Sequence, residues 1–129
     1  MKKLLLLVGL IVFLASSLVY GASHNEKEKK CMLDNLLEID NDGASRQIEK
    51  ACEWLQWNNQ SAINEGKCIL KNIHKASEKN NQAARRIGKA CEWLQWESQS
   101  AIDEGRCILN NIAKAKSDGS AKNIARICE

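Results

Sequence analysis

The chain has 129 residues, nineteen Lys and Arg against sixteen Asp and Glu, six cysteines, four tryptophans and no proline. That length fits one domain with a modest core. The net charge of +3 is carried partly by Lys2 and Lys3; without them seventeen basic residues face sixteen acidic ones, so nucleic acid and anionic membranes lose their electrostatic basis as partners.

Residues 1–21 read as a secretory signal peptide: Lys2 and Lys3 give the charged start, Leu4 to Leu14 the apolar stretch, and Val19-Tyr20-Gly21 a small-residue exit. The apolar run is shorter than the roughly twenty residues that a bilayer span requires. Cleavage after Gly21 would release a secreted, extracellular chain, residues 22–129, expected to form a single repeat domain. Phe13 and Tyr20 leave with the leader, so Trp54, Trp57, Trp93 and Trp96 become the only aromatic residues.

An even set of cysteines in a small exported chain, here Cys31, Cys52, Cys68, Cys91, Cys107 and Cys128, predicts a disulfide framework. Zinc is the rival use of cysteine. No two of these lie closer than sixteen residues, so the close ligand pairs of structural zinc sites are missing and neither metal nor cofactor is expected.

The sequence repeats. Residues 50–73, KACEWLQWNNQSAINEGKCILKNI, return at 89–112 as KACEWLQWESQSAIDEGRCILNNI, with nineteen of twenty-four positions identical at an offset of 39. A finer unit appears three times, opening at Cys31, Cys68 and Cys107 and closing at Cys52, Cys91 and Cys128. With β-branched alternation absent and Ala, Leu, Lys, Glu, Gln and Ile abundant, the segments between breaks read as helices. The expectation is an all-α, antiparallel bundle of disulfide-clasped helical hairpins, with units 31–52, 68–91 and 107–128 from a tandem repeat of about 39 residues.

Taken in chain order, a first helix is expected over about 25–40, two long helices over about 44–78 and 83–116, and a short last one from about 120. The breaks fall at Asn41-Asp42-Gly43, Lys79-Asn80-Asn81 and Ser117-Asp118-Gly119, all turn or helix-stop sequences. Residues equidistant from such a turn lie at the same height on two antiparallel helices. This pairs Cys31 with Cys52, Cys68 with Cys91 and Cys107 with Cys128. A competing scheme joins Cys52 to Cys68, Cys91 to Cys107 and Cys31 to Cys128, with turns at 58–61 and 97–100 and Ser61 and Ser100 as N-caps. The first is favoured because it makes three equivalent units and because Ile48, Cys52, Leu55, Asn59, Ala62, Gly66, Ile69 and Ile73 keep an unbroken four-three spacing, as one long helix would. On one continuous helix Cys52 and Cys68 would stand roughly 24 Å apart at 1.5 Å per residue.

Catalytic chemistry finds little support. The only histidines are His24, near the N-terminus of the mature chain, and His74, on a helix flank; neither is accompanied by an unpaired cysteine or a matching Ser and Asp motif. The carboxylates alternate with lysines at helical spacing, as on a solvated face. No catalytic residue is expected, and the chain reads as a non-enzyme.

The repeated Glu-Trp-Leu-Gln-Trp segment is the main candidate. On a helical wheel Trp54 and Trp57 lie away from the Ile48–Cys52–Leu55 stripe. One reading buries them: antiparallel pairing sets Trp93 level with Gly66 and Trp54 with Gly105, each mid-helix glycine leaving room for a ring. The other exposes one or both of the pairs Trp54 and Trp57, Trp93 and Trp96 as aromatic anchors for a partner protein. Asn59-Gln60-Ser61 is an N-glycosylation acceptor pattern whose counterpart in the second copy begins with Ser98.

The leader, the six spaced cysteines, the helical duplication and the Trp-x-x-Trp pairs together resemble the small secreted salivary proteins of blood-feeding insects, mosquitoes especially. The resemblance implies a protein that binds and disarms host haemostatic or immune components. Spacing separates the chain from insect odorant-binding proteins, whose second and third cysteines lie three residues apart, and from saposin-like proteins, which begin with a close cysteine pair. A secreted protein that binds a host or target-cell protein is therefore the leading expectation. A carrier of a small hydrophobic ligand between the long helices, and a membrane-active toxin, are the alternatives.

Overall fold

A computed structural model describes residues 25–36 and 40–129; the expected signal peptide, His24 and the end of the first expected helix lie outside the described residues. The described chain is all-helical. Its helices are α1 (Glu26–Leu36), α2 (Asp42–Trp54), α3 (Gln60–Asn72), α4 (Asn81–Trp93), α5 (Gln99–Asn111) and α6 (Asp118–Cys128). Short 3-10 turns, Ile73–Lys75 and Ile112–Lys114, follow α3 and α5. No described residue is in a strand.

Side-chain caps set the helix starts. Asn41, Asn59 and Asn80 accept from the backbone N–H three residues on, at 2.9, 3.0 and 2.9 Å, and Ser117 forms a capping box with Ser120. Each cap satisfies one of the amides that a helix start leaves without a partner. Two of these residues also tie successive segments together. The Asn41 Nδ2 donates to the Ser77 carbonyl at 2.9 Å, and the Asn80 Nδ2 to the carbonyls of Ala115 and Ser117 at 3.3 and 3.1 Å. At the other end of α1, α3 and α5, the side-chain amides of Asn35, Asn72 and Asn111 donate to the carbonyls of Cys31, Cys68 and Cys107, at 2.8, 2.9 and 2.8 Å. The repeated Cys-x-x-x-Asn spacing thus adds a side-chain hydrogen bond one turn back in the last turns of each helix that opens a unit.

Packing follows the chain. Each helix lies against its sequence neighbours, and α2, α4 and α6 also pack side by side as an inner row. The core is made of isoleucines, alanines and half-cystines: Ile48, Ile69, Ile87, Ile108, Ile112, Cys52 and Cys91 are fully buried, with Ala44, Ala51, Ala83, Ala84 and Ala90 between them. The alanines let the helices approach closely but bury little apolar area each, and three covalent links add to the stability by constraining the unfolded chain. Those links are Cys31–Cys52, Cys68–Cys91 and Cys107–Cys128, with Cα separations of 5.7, 5.6 and 5.6 Å, and they join α1 to α2, α3 to α4 and α5 to α6.

The two long helices expected over 44–78 and 83–116 are not present. Each is broken after its tryptophan: the N–H groups of Gln56 and Trp57 turn back to the carbonyls of Glu53 and Trp54, three residues earlier, at 3.0 and 3.1 Å. The same tightening recurs at Gln95 and Trp96. The chain then extends to Asn59 (φ −144°, ψ 113°) and to Ser98 (φ −74°, ψ 117°), which cap the next helix. The four-three spacing survived because the turn returns α3 to the phase of α2. Its one polar member, Asn59, marks the break. The caps are Asn59 and Ser98, not the Ser61 and Ser100 of the competing scheme. The disulfide pairing therefore holds on the equidistance of the cysteines from the turns, not on a continuous helix.

Candidate functional site: the two tryptophan turns

Each Glu-Trp-Leu-Gln-Trp segment closes one helix and crosses to the next, so its two indoles have different surroundings. Trp54 and Trp93, in the last turns of α2 and α4, are partly buried and packed against the core. Trp57 and Trp96 stand on the turns themselves, each 48% exposed. The rings of Trp54 and Trp57 are 6.1 Å apart and tilted by 58°; those of Trp93 and Trp96 are 6.5 Å apart at 72°. The tilted contact of the first pair and the edge-to-face contact of the second set the outer ring against the inner one. Among the described residues the large exposed apolar side chains are Leu33, Trp57, Trp96 and Ile127, and two of these four are matching indoles of the duplicated segment.

A lysine one turn earlier completes each pair. The Lys50 Nζ lies 4.1 Å from the Trp54 ring centre, and the Lys89 Nζ 5.7 Å from those of both Trp93 and Trp96. Both distances fall within cation–π range. Sequence reading passed over these lysines, although the Lys-Ala-Cys-Glu-Trp spacing places ammonium and indole on one helix face at i and i+4.

Glu65 was missed as well. It is buried on α3, its Oε1 accepts no hydrogen bond, and the Lys50 Nζ is 3.9 Å away. Burial pushes its carboxyl above the usual carboxylate range; Lys50 and Lys89 oppose the shift and Glu92 adds to it. Desolvation wins because Lys50 is divided between the indole and a carboxylate at the limit of ion-pair contact. Lys89 instead pairs with Glu92 at 3.0 Å. No local sequence signal separates Glu65 from the exposed glutamates around it.

The expected seating of indoles over glycines is overturned. A Cβ on Gly66 would lie 2.8 Å from the Ala51 carbonyl oxygen, and one on Gly105 2.8 Å from that of Ala90. These glycines admit the backbone of the preceding helix, α2 against α3 and α4 against α5. Breaking the long helix folds α2 back against α3, so that the space at Gly66 is taken by the Ala51 backbone of the preceding helix.

The remaining candidates are also placed. Asn59 is exposed beside Trp57, and its Oδ1 is used by the α3 cap. His74 is exposed at an open recess of about 500 Å³ shared with Asp34, Asn35 and Glu78. All six cysteines are bridged, leaving no free thiol. Among the described residues no group of three or more His, Cys, Asp or Glu could hold a metal ion, and no helix is long and apolar enough to cross a membrane.

No known protein family, curated protein or solved structure matches the chain.

Proposed function

We propose that the chain is a secreted, non-enzymatic binding protein whose duplicated unit forms disulfide-clasped helical hairpins and which engages a protein partner through one or both of its tryptophan turns. The observation that carries this reading is the pair of half-exposed indoles, Trp57 and Trp96, at matching positions of the two copies. Exposing a tryptophan to water forgoes its burial, and an indole backed by a second ring and a helix end is rigid. Tryptophan is also the side chain most enriched among residues that dominate binding energy. Three disulfides are consistent with an extracellular setting. The partner on this reading is a host or target-cell protein, and the role is that of a salivary or venom-type modulator of haemostasis or immunity.

The test uses the mature protein, immobilised and exposed to plasma and to immune-cell surface extracts, beside the double variant W57A/W96A. Wild type should retain a defined protein, and the variant should bind that protein at least roughly thirtyfold more weakly, since a hot-spot tryptophan contributes about 2 kcal/mol or more. Undiminished binding by a folded W57A/W96A, or turnover of a substrate by a protein that retains nothing, would overturn the reading.

A further inference from the structure

We propose that Asn59 carries an N-linked glycan that shields Trp57, so that two tryptophan turns nearly identical in sequence are unequal in the secreted protein and only the Trp93–Trp96 turn stays open. The modification stands on its own observations. Its consequence for partner binding rests on the function proposed above.

The two copies differ at the capping position in a way that folding does not require. Asn59 and Ser98 both occupy the N-cap, and both offer an oxygen to the amide three residues on, at 3.0 and 3.5 Å. Either residue serves the helix start. Only asparagine also brings a side-chain nitrogen. That Nδ2 has no partner among the described residues, Asn59, Gln60 and Ser61 are all exposed, and Asn59-Gln60-Ser61 is the acceptor pattern. Ser98-Gln99-Ser100 preserves the cap and loses the acceptor.

The transfer needs a lipid-pyrophosphate-linked oligosaccharide, the donor of the eukaryotic secretory route. The Asn59 Nδ2 forms a bond to the anomeric carbon, the bond from that carbon to the pyrophosphate oxygen breaks, one amide proton passes to a base, and the lipid pyrophosphate departs. The Oδ1 is not consumed, so the α3 cap survives the reaction. Asn59 follows Trp57 by two residues, which places their Cα atoms at most about 7 Å apart. A bulky, hydrated sugar chain at that distance covers the outer face of the Trp57 ring. Trp96, with Ser98 in the corresponding place, keeps its exposure.

The experiment expresses the full chain in a eukaryotic secretory cell line and compares it with S61A, which abolishes the acceptor pattern but leaves the Asn59 cap. Intact mass should show oligosaccharide on the wild-type protein and none on S61A. Collisional quenching of tryptophan fluorescence then reads shielding, with W96F reporting Trp57 and W57F reporting Trp96 as the exposed indole. S61A should raise quenching in W96F to the level of W57F and leave W57F unchanged. Secreted wild-type protein without added mass at Asn59, or glycosylated protein in which S61A does not alter quenching of W96F, would overturn the proposal. Neither readout needs a partner. If both succeed while no protein is captured from plasma or cell extracts, the proposed function fails and the modification stands.

Discussion

Substituting Gly66 by alanine tests the helix contact that sets the position of both tryptophan turns. A Cβ there would sit 2.8 Å from the Ala51 carbonyl oxygen and 3.6 Å from its carbon. Ordinary contact begins near 3.4 Å, so α3 would have to retreat from α2 by about half an ångström along a row of small buried residues. Over-packing of this kind costs about 1–3 kcal/mol, whereas replacing a mid-helix glycine by alanine returns at most about 1 kcal/mol. G66A should therefore lose about 1–2 kcal/mol, or roughly 5–15 °C of Tm at about 4–8 °C per kcal/mol for a domain of this size. G105A, which meets the Ala90 carbonyl oxygen at 2.8 Å, should behave alike. G119A is the control, since its Cβ would find only the Ser117 Oγ at 3.8 Å; it should be neutral or stabilising by up to about 1 kcal/mol. Thermal unfolding followed by circular dichroism with the disulfides intact reads all three. If G66A and G119A shift Tm in the same direction, the backbone approach at Gly66 is not as described.

Two further perturbations follow from the site and the bridges. Because the Glu65 carboxyl is raised in the folded chain, the folded state holds that proton more tightly than the unfolded one, and Glu65 lowers stability progressively as pH rises from the ordinary carboxylate range through its raised value. E65Q should accordingly gain stability relative to wild type across that window in denaturant titrations; a difference that stays flat with pH, or that turns against E65Q at neutral pH, would show that Lys50 compensates for burial after all. Removing the Cys107–Cys128 bridge as C107S/C128S should cost about 3 kcal/mol, the loop-closure term for a bridge spanning 21 positions, with α6 losing amide protection first; an unchanged denaturation midpoint would show that apolar packing alone holds α6.

Much of this architecture was legible because it is written in cysteines, turns and a duplication. Cysteines equidistant from Asn41, Asn80 and Ser117 identify their partners without detailed knowledge of the helices between them, and all-α character follows from composition. The break inside each expected long helix was hidden by a coincidence of phase: Ile48, Cys52 and Leu55 are followed by Ala62, Gly66 and Ile69 in register, and only the capping power of Asn59 and Ser98 discloses the turn. Once the helix is broken, the glycine positions change meaning, because Gly66 faces the helix just before it rather than a ring from the other copy. The split between inner and outer tryptophans was equally out of reach, since a helical wheel treats Trp54 and Trp57 as members of one helix when Trp57 lies beyond its end. Glu65 depends on α2, α3 and α4 meeting around one carboxylate, which no local pattern encodes.

Site-resolved amide hydrogen exchange on the disulfide-intact protein tests most directly whether the indoles ride on turns between separate helices. The amides of Asn58, Asn59, Glu97 and Ser98 should exchange rapidly while those of Ile69, Leu70, Ile108 and Leu109 stay protected. Continuous protection from α2 through α3, across residues 55–60, would restore the long helix and contradict the account.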